Sequence, residues 1–497
     1  MKSLIKGAAL FVAVACVVWI VVLWRWRAMQ REMDAGDIVL YLVILPIVVF
    51  ALVLAARWAV RGALERQDAQ AAAAAATGAS AASGATAPAA ENRPALSWHL
   101  LGAWTHTAAG ASVDELLAAI EAGDPRPRPD ATLRDDEGLP VLTARIAELD
   151  AADVERALRR NLAAIDGQSP VPARAVRALA SLAPLIDELG QSVAAWAVQW
   201  REVDEQAAGG AAPADATRLV RVLAAWPGDW DDATCAAAQA WLAARLCDPL
   251  ADVLPLARWT IRSQRMSGTE LLSAAERTLD ALQRQGRDDP VVLMACHSDL
   301  DAEGIRSLER HQRLFHSARR PKVAMAGEGA AVLALSAVDW PADAAIDAER
   351  VRFDSPAIVR RAASIEAAGR TSSDDAVRLV NHGLASAGFA GAAIAKLATD
   401  ADQHTARATE LFAVTLALMP GLDANEDLRL AGTIAGRLEA VAPLLTLAMA
   451  AAQAREAGRP AVALSLADPH WRMAAVLRPA SIKNEPQHAG RRPRTLQ

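Results

Sequence analysis

The chain has 497 residues, enough for two or three average domains or for one large domain with appendages. Its formal net charge of −6 is uneven: residues 1–66 carry eight Lys or Arg against four acids, which leaves −10 for the rest. An acidic remainder lacks the basic face that nucleic-acid binding needs, and the four cysteines (Cys16, Cys235, Cys247 and Cys296) have no metal-ligand spacing. No nucleic acid, metal, cofactor or disulfide framework is therefore expected.

From Gly7 to Trp24 and from Ile38 to Ala56 the sequence runs without a charge. Each run is long enough to cross a hydrocarbon core of about 30 Å as a helix. A membrane hairpin over residues 1–66 is expected, with spans near 7–24 and 38–60. The first run also has the charged start of a signal peptide, but RWRAMQREMD follows it in place of a small-residue cleavage site. Basic residues favour both ends in the cytoplasm: Lys2, Lys6, Arg57, Arg61 and Arg66 flank the hairpin, against Arg25, Arg27 and Arg31 in its loop. Residues 67–95 are Ala-rich and carry almost no large apolar side chains, so they read as a tether. A basic tail, 480–497, ends the chain.

Between tether and tail, strand-like runs alternate with amphipathic helices, the signature of a layered α/β domain. WHLLGAWTHT (98–107) precedes a helix over 112–123, marked by the capping pair Ser112 and Glu115 and the stop Gly123. Residues 125–262 are less readable, with helices at 150–166 and 232–246 and no evident chemistry. A helix over 269–286, introduced by Ser267 and Glu270, leads to the strand VVLMAC (291–296). AAVLALSAV (330–338) reads as a buried strand. The helix 374–388, the strand IAKLATD (394–400), a helix beginning near 408 and a closing hairpin over 461–479 complete the domain.

Six pieces of this pattern, in order, resemble the β-ketoacyl-acyl carrier protein synthase family: LLGAWTHTAAGASVDELLAAIEAG, PVVLMACHSDLD, GEGAAVLALS, IAKLATDADQHT, AGRLEAVAPLLTLAMA and the closing hairpin. GEGAAVL is the most specific of them. The resemblance covers about Leu96 to Pro479 and implies a thiolase-like layered fold of mixed sheets and helices.

It also implies where catalytic groups belong. The family's Cys nucleophile starts a helix, where the dipole and backbone N–H groups lower its pKa. The matching stretch, RSQRMSGTELL, offers Arg265, Met266 and Ser267 and no thiol. Ser267 reads as nucleophile or as helix cap, with the cap preferred. The family's first His position falls on Asp400, although a shifted loop would bring His404 inward. The second His falls on Arg437 and the Lys on Gly432. Asp400 and Arg437 are expected to meet as an ion pair filling the pocket, or else to face solvent. Cys296, beside His297, reads as a small core residue rather than a displaced thiol. ADPHW (467–471) replaces the family's glycine-rich terminal loop.

These positions together imply a catalytically inactive, β-ketoacyl-synthase-like protein anchored in the bacterial inner membrane, with its large domain in the cytoplasm. It would act as a homodimeric scaffold or as an accessory component of a membrane complex, and a secretion system is the specific expectation. The alternative is a subunit of lipid or polyketide synthesis that binds an acyl chain or acyl carrier protein, or an acyltransferase or condensing enzyme there. Such a role calls for a basic docking patch, which the −10 balance does not favour.

Overall fold

The computed structural model describes residues 97–124, 127–165, 170–207, 218–315, 325–338, 350–367 and 372–480, with backbone only at 203–207. Among these residues no helix is long and apolar enough to cross a membrane. The expected spans at 7–24 and 38–60, the tether and the tail beyond Ala480 lie outside the described residues.

The first half of the domain comprises β1 (Ser97–Thr107), α1 (Val113–Ala122), β2 (Arg128–Arg134), β3 (Pro140–Ala144), α2 (Ala152–Ile165), α3 (Ala173–Ala207), β4 (Val220–Trp226), α4 (Asp232–Cys247), β5 (Trp259–Arg265), α5 (Gly268–Arg284), β6 (Val291–Ser298), α6 (Ala302–Arg310) and β7 (Ala326–Ser336). The second comprises β8 (Val351–Asp354), β9 (Ala357–Arg360), α7 (Asp374–Ala387), β10 (Lys396–Thr399), α8 (Thr405–Leu418), β11 (Leu428–Leu430), α9 (Gly432–Ala435), α10 (Val441–Ala457), β12 (Ala461–Ser465) and β13 (Trp471–Pro479).

Local chemistry sets several boundaries where the sequence places them. Ser112 caps α1 through the Glu115 N–H, and Gly123 ends it at φ 66°, where a side chain would be strained. Ser267 and Glu270 form a reciprocal capping box at α5, so two orphan N–H groups are satisfied at once. In the region the sequence left unread, a 35-residue helix α3 continues through Pro184, followed by the parallel strands β4 and β5.

Both halves have the same strand order. The first runs β5-β4-β6-β7-β1 and the second β11-β10-β12-β13-β8; with β2, β3 and β9 lying off this path, each is third-second-fourth-fifth-first of its five strands. The directions agree as well: the three outer strands are parallel, the fifth is antiparallel to the fourth, and the first is antiparallel to the fifth. The half-sheets join through antiparallel pairing of β1 with β8.

Alternation along the strands sorts side chains into layers. Leu223, Ala225, Leu293, Ala295, Leu333 and Leu335 face a central core that also contains Ala463, Ala475 and Leu477 of the second half-sheet. Their neighbours Val222, Ala224, Val292, Met294 and Val332 face an outer core with α2, α3 and α4. On the far side Val462, Leu464, Ala474 and Val476 pack with α7 and α8. Helix α10 lies in the central layer against strands of both half-sheets. It is buried nearly all round, as its uninterrupted Ala/Leu composition requires.

Candidate functional site

The starts of α5 and α10 abut in the central layer. A Cβ on Gly268 would lie 2.6 Å from the Ala440 carbonyl oxygen and 2.8 Å from the Pro443 ring, so only glycine permits this approach. A cavity of about 390 Å³ opens beside the junction. Arg265, Met266, Ser267, Asp400 and Arg437 all line it, together with Cys296, His297, Asp402, His404 and Arg407. The first five positions are thus brought together in space, whereas Gly432, the family's Lys position, does not line the cavity and packs on the backbone of Asp400 and Ala401.

Each is tied to a neighbour. Arg265 donates to the Trp230 carbonyl at 2.8 Å and to Asp232 at 2.7 Å. Met266 packs on the central core. The Ser267 hydroxyl accepts the Glu270 N–H at 3.3 Å and lies 3.2 Å from the Thr269 hydroxyl, while the Ser267 N–H donates to the Glu270 carboxylate at 2.7 Å. Ser267 is therefore a helix cap.

The expected Asp400–Arg437 ion pair does not form, nor does either residue simply face solvent. Asp400 accepts the Leu466 N–H at 2.6 Å, the Ala467 N–H at 3.0 Å and the Ser465 hydroxyl. It pins the turn between β12 and β13, and those donors satisfy it without an arginine. Burial pushes its carboxyl pKa up, partly offset by the Ser465 and backbone hydrogen bonds. Arg437 reaches instead to Asp299, at 2.6 Å, and to Glu439.

His297 completes a ring of alternating charge. Its Nε2 lies 3.2 Å from Asp299 and its Nδ1 3.5 Å from Glu439. These are charge contacts, because neither nitrogen makes a hydrogen bond of good geometry. Burial alone would lower the His297 pKa, but Asp299 and Glu439 outweigh it and hold the imidazole above its ordinary range. For Asp299, burial is outweighed by Arg437 and His297, which keep the carboxyl below its usual range. Glu439 closes the ring from a left-handed backbone, φ 42°, that a non-glycine residue rarely adopts. The ring ties the end of β6 to the start of α10.

Cys296 faces the opposite way from His297, into the outer core as expected. Burial pushes its thiol pKa far up, so it offers no thiolate. His404 does reach the cavity wall, where it caps α8 by accepting the Ala406 N–H at Nδ1, 3.2 Å away. Asp402 and Arg407 pair at 2.6 Å. Behind them the fully buried Glu410 is held between Arg361 and Arg472.

The GEGAAV segment has a packing role. A Cβ on Gly327 would meet the Ala435 and Arg437 carbonyl oxygens at 2.6 and 2.8 Å, and Gly436 turns beneath it at φ 70°. Between the glycines, buried Glu328 accepts a double contact from Arg177, at 2.7 and 2.5 Å, plus the Ile146 N–H at 2.8 Å.

Sequence reasoning missed Asp299, Glu439 and Arg407. The i, i+2 spacing of His297 and Asp299 on one strand face was the available signal for the first. Nothing local marked the others.

No family model matches the chain, and no curated protein sequence matches it. Solved structures do. The ketosynthase from module 6 of the bacillaene synthase of Bacillus subtilis 168 superimposes with a TM-score of 0.52 at 11% identity, covering 77% of this chain and 72% of that one. The ishigamide ketosynthase/chain length factor gives 0.47 at 16% identity, covering 77% and 99%. A type II polyketide acyl-carrier protein in complex with its ketosynthase gives 0.47 at 11%, covering 78% and 99%. With the first of these and the repeated third-second-fourth-fifth-first half-sheets, the described residues between 97 and 480 have the thiolase-like fold of the ketosynthases.

Proposed function

We propose that this protein is a non-condensing relative of the ketosynthase fold that works as a scaffold or accessory component, held at the bacterial inner membrane by its N-terminal apolar runs. The observation that carries this reading is the state of the cavity wall. The polar side chains at the positions that the sequence resemblance assigns to catalysis are committed to internal contacts: Ser267 to a capping box, Asp400 to a turn, Arg437 to Asp299 and Glu439. A condensing enzyme needs an activated nucleophile and a histidine free to polarise a thioester carbonyl. A dimer of such chains attached to an envelope machine, a secretion system in particular, fits an enzyme fold retained without its chemistry.

The retained cavity favours one alternative, a subunit that binds an acyl chain or an acyl carrier protein, as one fold neighbour is seen with its carrier protein. In-cell crosslinking of the full-length protein, extraction from membranes and mass spectrometry of the recovered partners separates the two. Envelope or secretion components are expected. Recovery of acyl carrier protein with lipid- or polyketide-synthesis enzymes would overturn the scaffold reading in favour of the second.

A further inference from the structure

The ring at the end of β6 sets one histidine between two carboxylates. His297 is 4% exposed, with Nε2 3.2 Å from Asp299 and Nδ1 3.5 Å from Glu439. An imidazolium presents a proton on each side, whereas a neutral imidazole has one and turns a lone pair toward the carboxylate it does not serve. The two carboxylates are unequally placed to bear that loss. Asp299 is buried, paired with Arg437 at 2.6 Å, and its N–H donates to the Gly327 carbonyl, so it has no route to water. Glu439 is exposed and is free to swing out. Its backbone favours the move, since φ 42° is strained for a residue with a side chain. The charged groups around His297 are otherwise matched. Arg437, from the same loop as Glu439, opposes protonation, while Asp299 and Glu439 favour it. On the paired strand β7, Glu328 turns to the other face of the sheet and joins Arg177. Across the cavity, the start of α8 brings Asp402 and Arg407, which pair with each other, and His404, which caps its helix; the start of α5 brings Glu270, bound to Ser267.

We propose that the ring is a pH-operated latch on residues 436–440, closed while His297 is protonated and released when it is neutral, so that this part of the cavity wall loosens as pH rises. The step is a plain deprotonation. The proton leaves Nδ1 for solvent, the Nε2 proton stays with Asp299, and Glu439 is left with Arg437 alone. The N–H of Arg437 donates to the Met325 carbonyl at 2.9 Å and anchors the near end of the segment. Movement is thereby confined to the far end, where Glu439 and Ala440 lead into α10. Gly436, Arg437, Glu439 and Ala440 all line the cavity, so the release alters its mouth beside the junction of α5 and α10. The sign follows from the two carboxylates, which hold His297 protonated above its ordinary range. The latch is fully closed below about 6.5, the unfolded value, and opens as pH rises through the folded one. The inference holds whether or not the chain is an anchored scaffold.

Hydrogen–deuterium exchange of the full-length protein in detergent tests it, read by mass spectrometry on peptides covering 436–442 and corrected for the intrinsic pH dependence of amide exchange. Protection in the wild-type protein is expected to fall by about tenfold between about pH 6 and about pH 9, with the peptides of β6 and α5 unchanged. Glu439→Gln should stay protected at both pH values, because its carbonyl accepts from the imidazolium and its amide donates to the neutral ring. His404→Asn, which keeps a side-chain acceptor for the α8 cap, should retain the wild-type pH dependence and so assign the titration to His297. Constant protection in the wild-type protein, a pH-dependent loss that survives in Glu439→Gln, a pH dependence abolished by His404→Asn, or a fall shared by the whole domain would overturn the proposal.

Discussion

The two helices that meet at the cavity begin in opposite ways. Helix α5 starts with a local device, Ser267 exchanging hydrogen bonds with Glu270 at the cavity edge. Helix α10 starts without any side-chain cap, behind a strained Glu439 and a ring in which the buried Asp299 and His297 meet the part-buried Arg437 and the exposed Glu439. The two positions correspond, since each helix follows the third strand of its half-sheet. One half has kept a local solution, and the other relies on charges drawn from the distant end of β6. Local caps stabilise modestly and fail gently, whereas a buried charge network fails badly when one member is removed.

That contrast is open to direct attack. Arg437→Gln leaves the buried Asp299 and the exposed Glu439 with His297 as their remaining cation and should cost about 2 kcal/mol, read as a lowered urea midpoint; loss under about 1 kcal/mol would mean that the ring is not a structural unit. His297→Gln should cost about 2 kcal/mol at pH 6 and less in alkaline buffer. The sign follows from linkage: the folded pKa of His297 is raised, so its contribution is full below about 6.5, the unfolded value, and is lost as pH rises through the folded value. A wild-type stability that does not fall with rising pH relative to His297→Gln would contradict this. Gly268→Ala drives a methyl into the Ala440 carbonyl and should cost about 2 kcal/mol, seen in thermal unfolding.

Ser267→Ala should cost only about 1 kcal/mol, the modest penalty of a lost cap. Smallest of all, Asp400→Asn should fall within about 0.5 kcal/mol of wild type at pH 7. The raised pKa of Asp400 means that its charged form is disfavoured in the fold, so its favourable contribution is present below the unfolded value and lost as pH rises through the folded one. An amide keeps a carbonyl for Leu466 and Ala467, and the Ser465 hydroxyl can turn to accept. A large destabilisation by Asp400→Asn would show that the ionised carboxylate is what pins the turn.

What the sequence made legible was local. The caps Ser112 and Ser267, the stop Gly123 and the closing hairpin act over a few residues, and each stands where it was read. The convergence of Arg265, Met266, Ser267, Asp400 and Arg437 on one cavity came from the family resemblance, not from spacing. The error over Arg437 shows the limit. Its true partner, Asp299, is 138 residues away in sequence and belongs to the other half-sheet, so no local pattern connects them. Strand β5 was hidden for a related reason: as an edge strand it exposes Arg262, Gln264 and Arg265, which blurs the alternation. In α3 an internal proline breaks the pattern that packing on both sides restores.

The pairing of β1 with β7 carries a consequence in time. His99 faces Ser336, and Thr107 faces Gly329, so strands at the beginning and middle of the chain must wait for one another. At about 5–20 residues per second of synthesis, β1 leaves the ribosome well before its partner exists, by roughly 10–50 s. Until then its backbone donors and acceptors are an open edge that any other extended segment can claim. High contact order of this kind makes for slow folding, and it predicts that this chain depends on protection during its own synthesis more than a protein whose first strand pairs with its second.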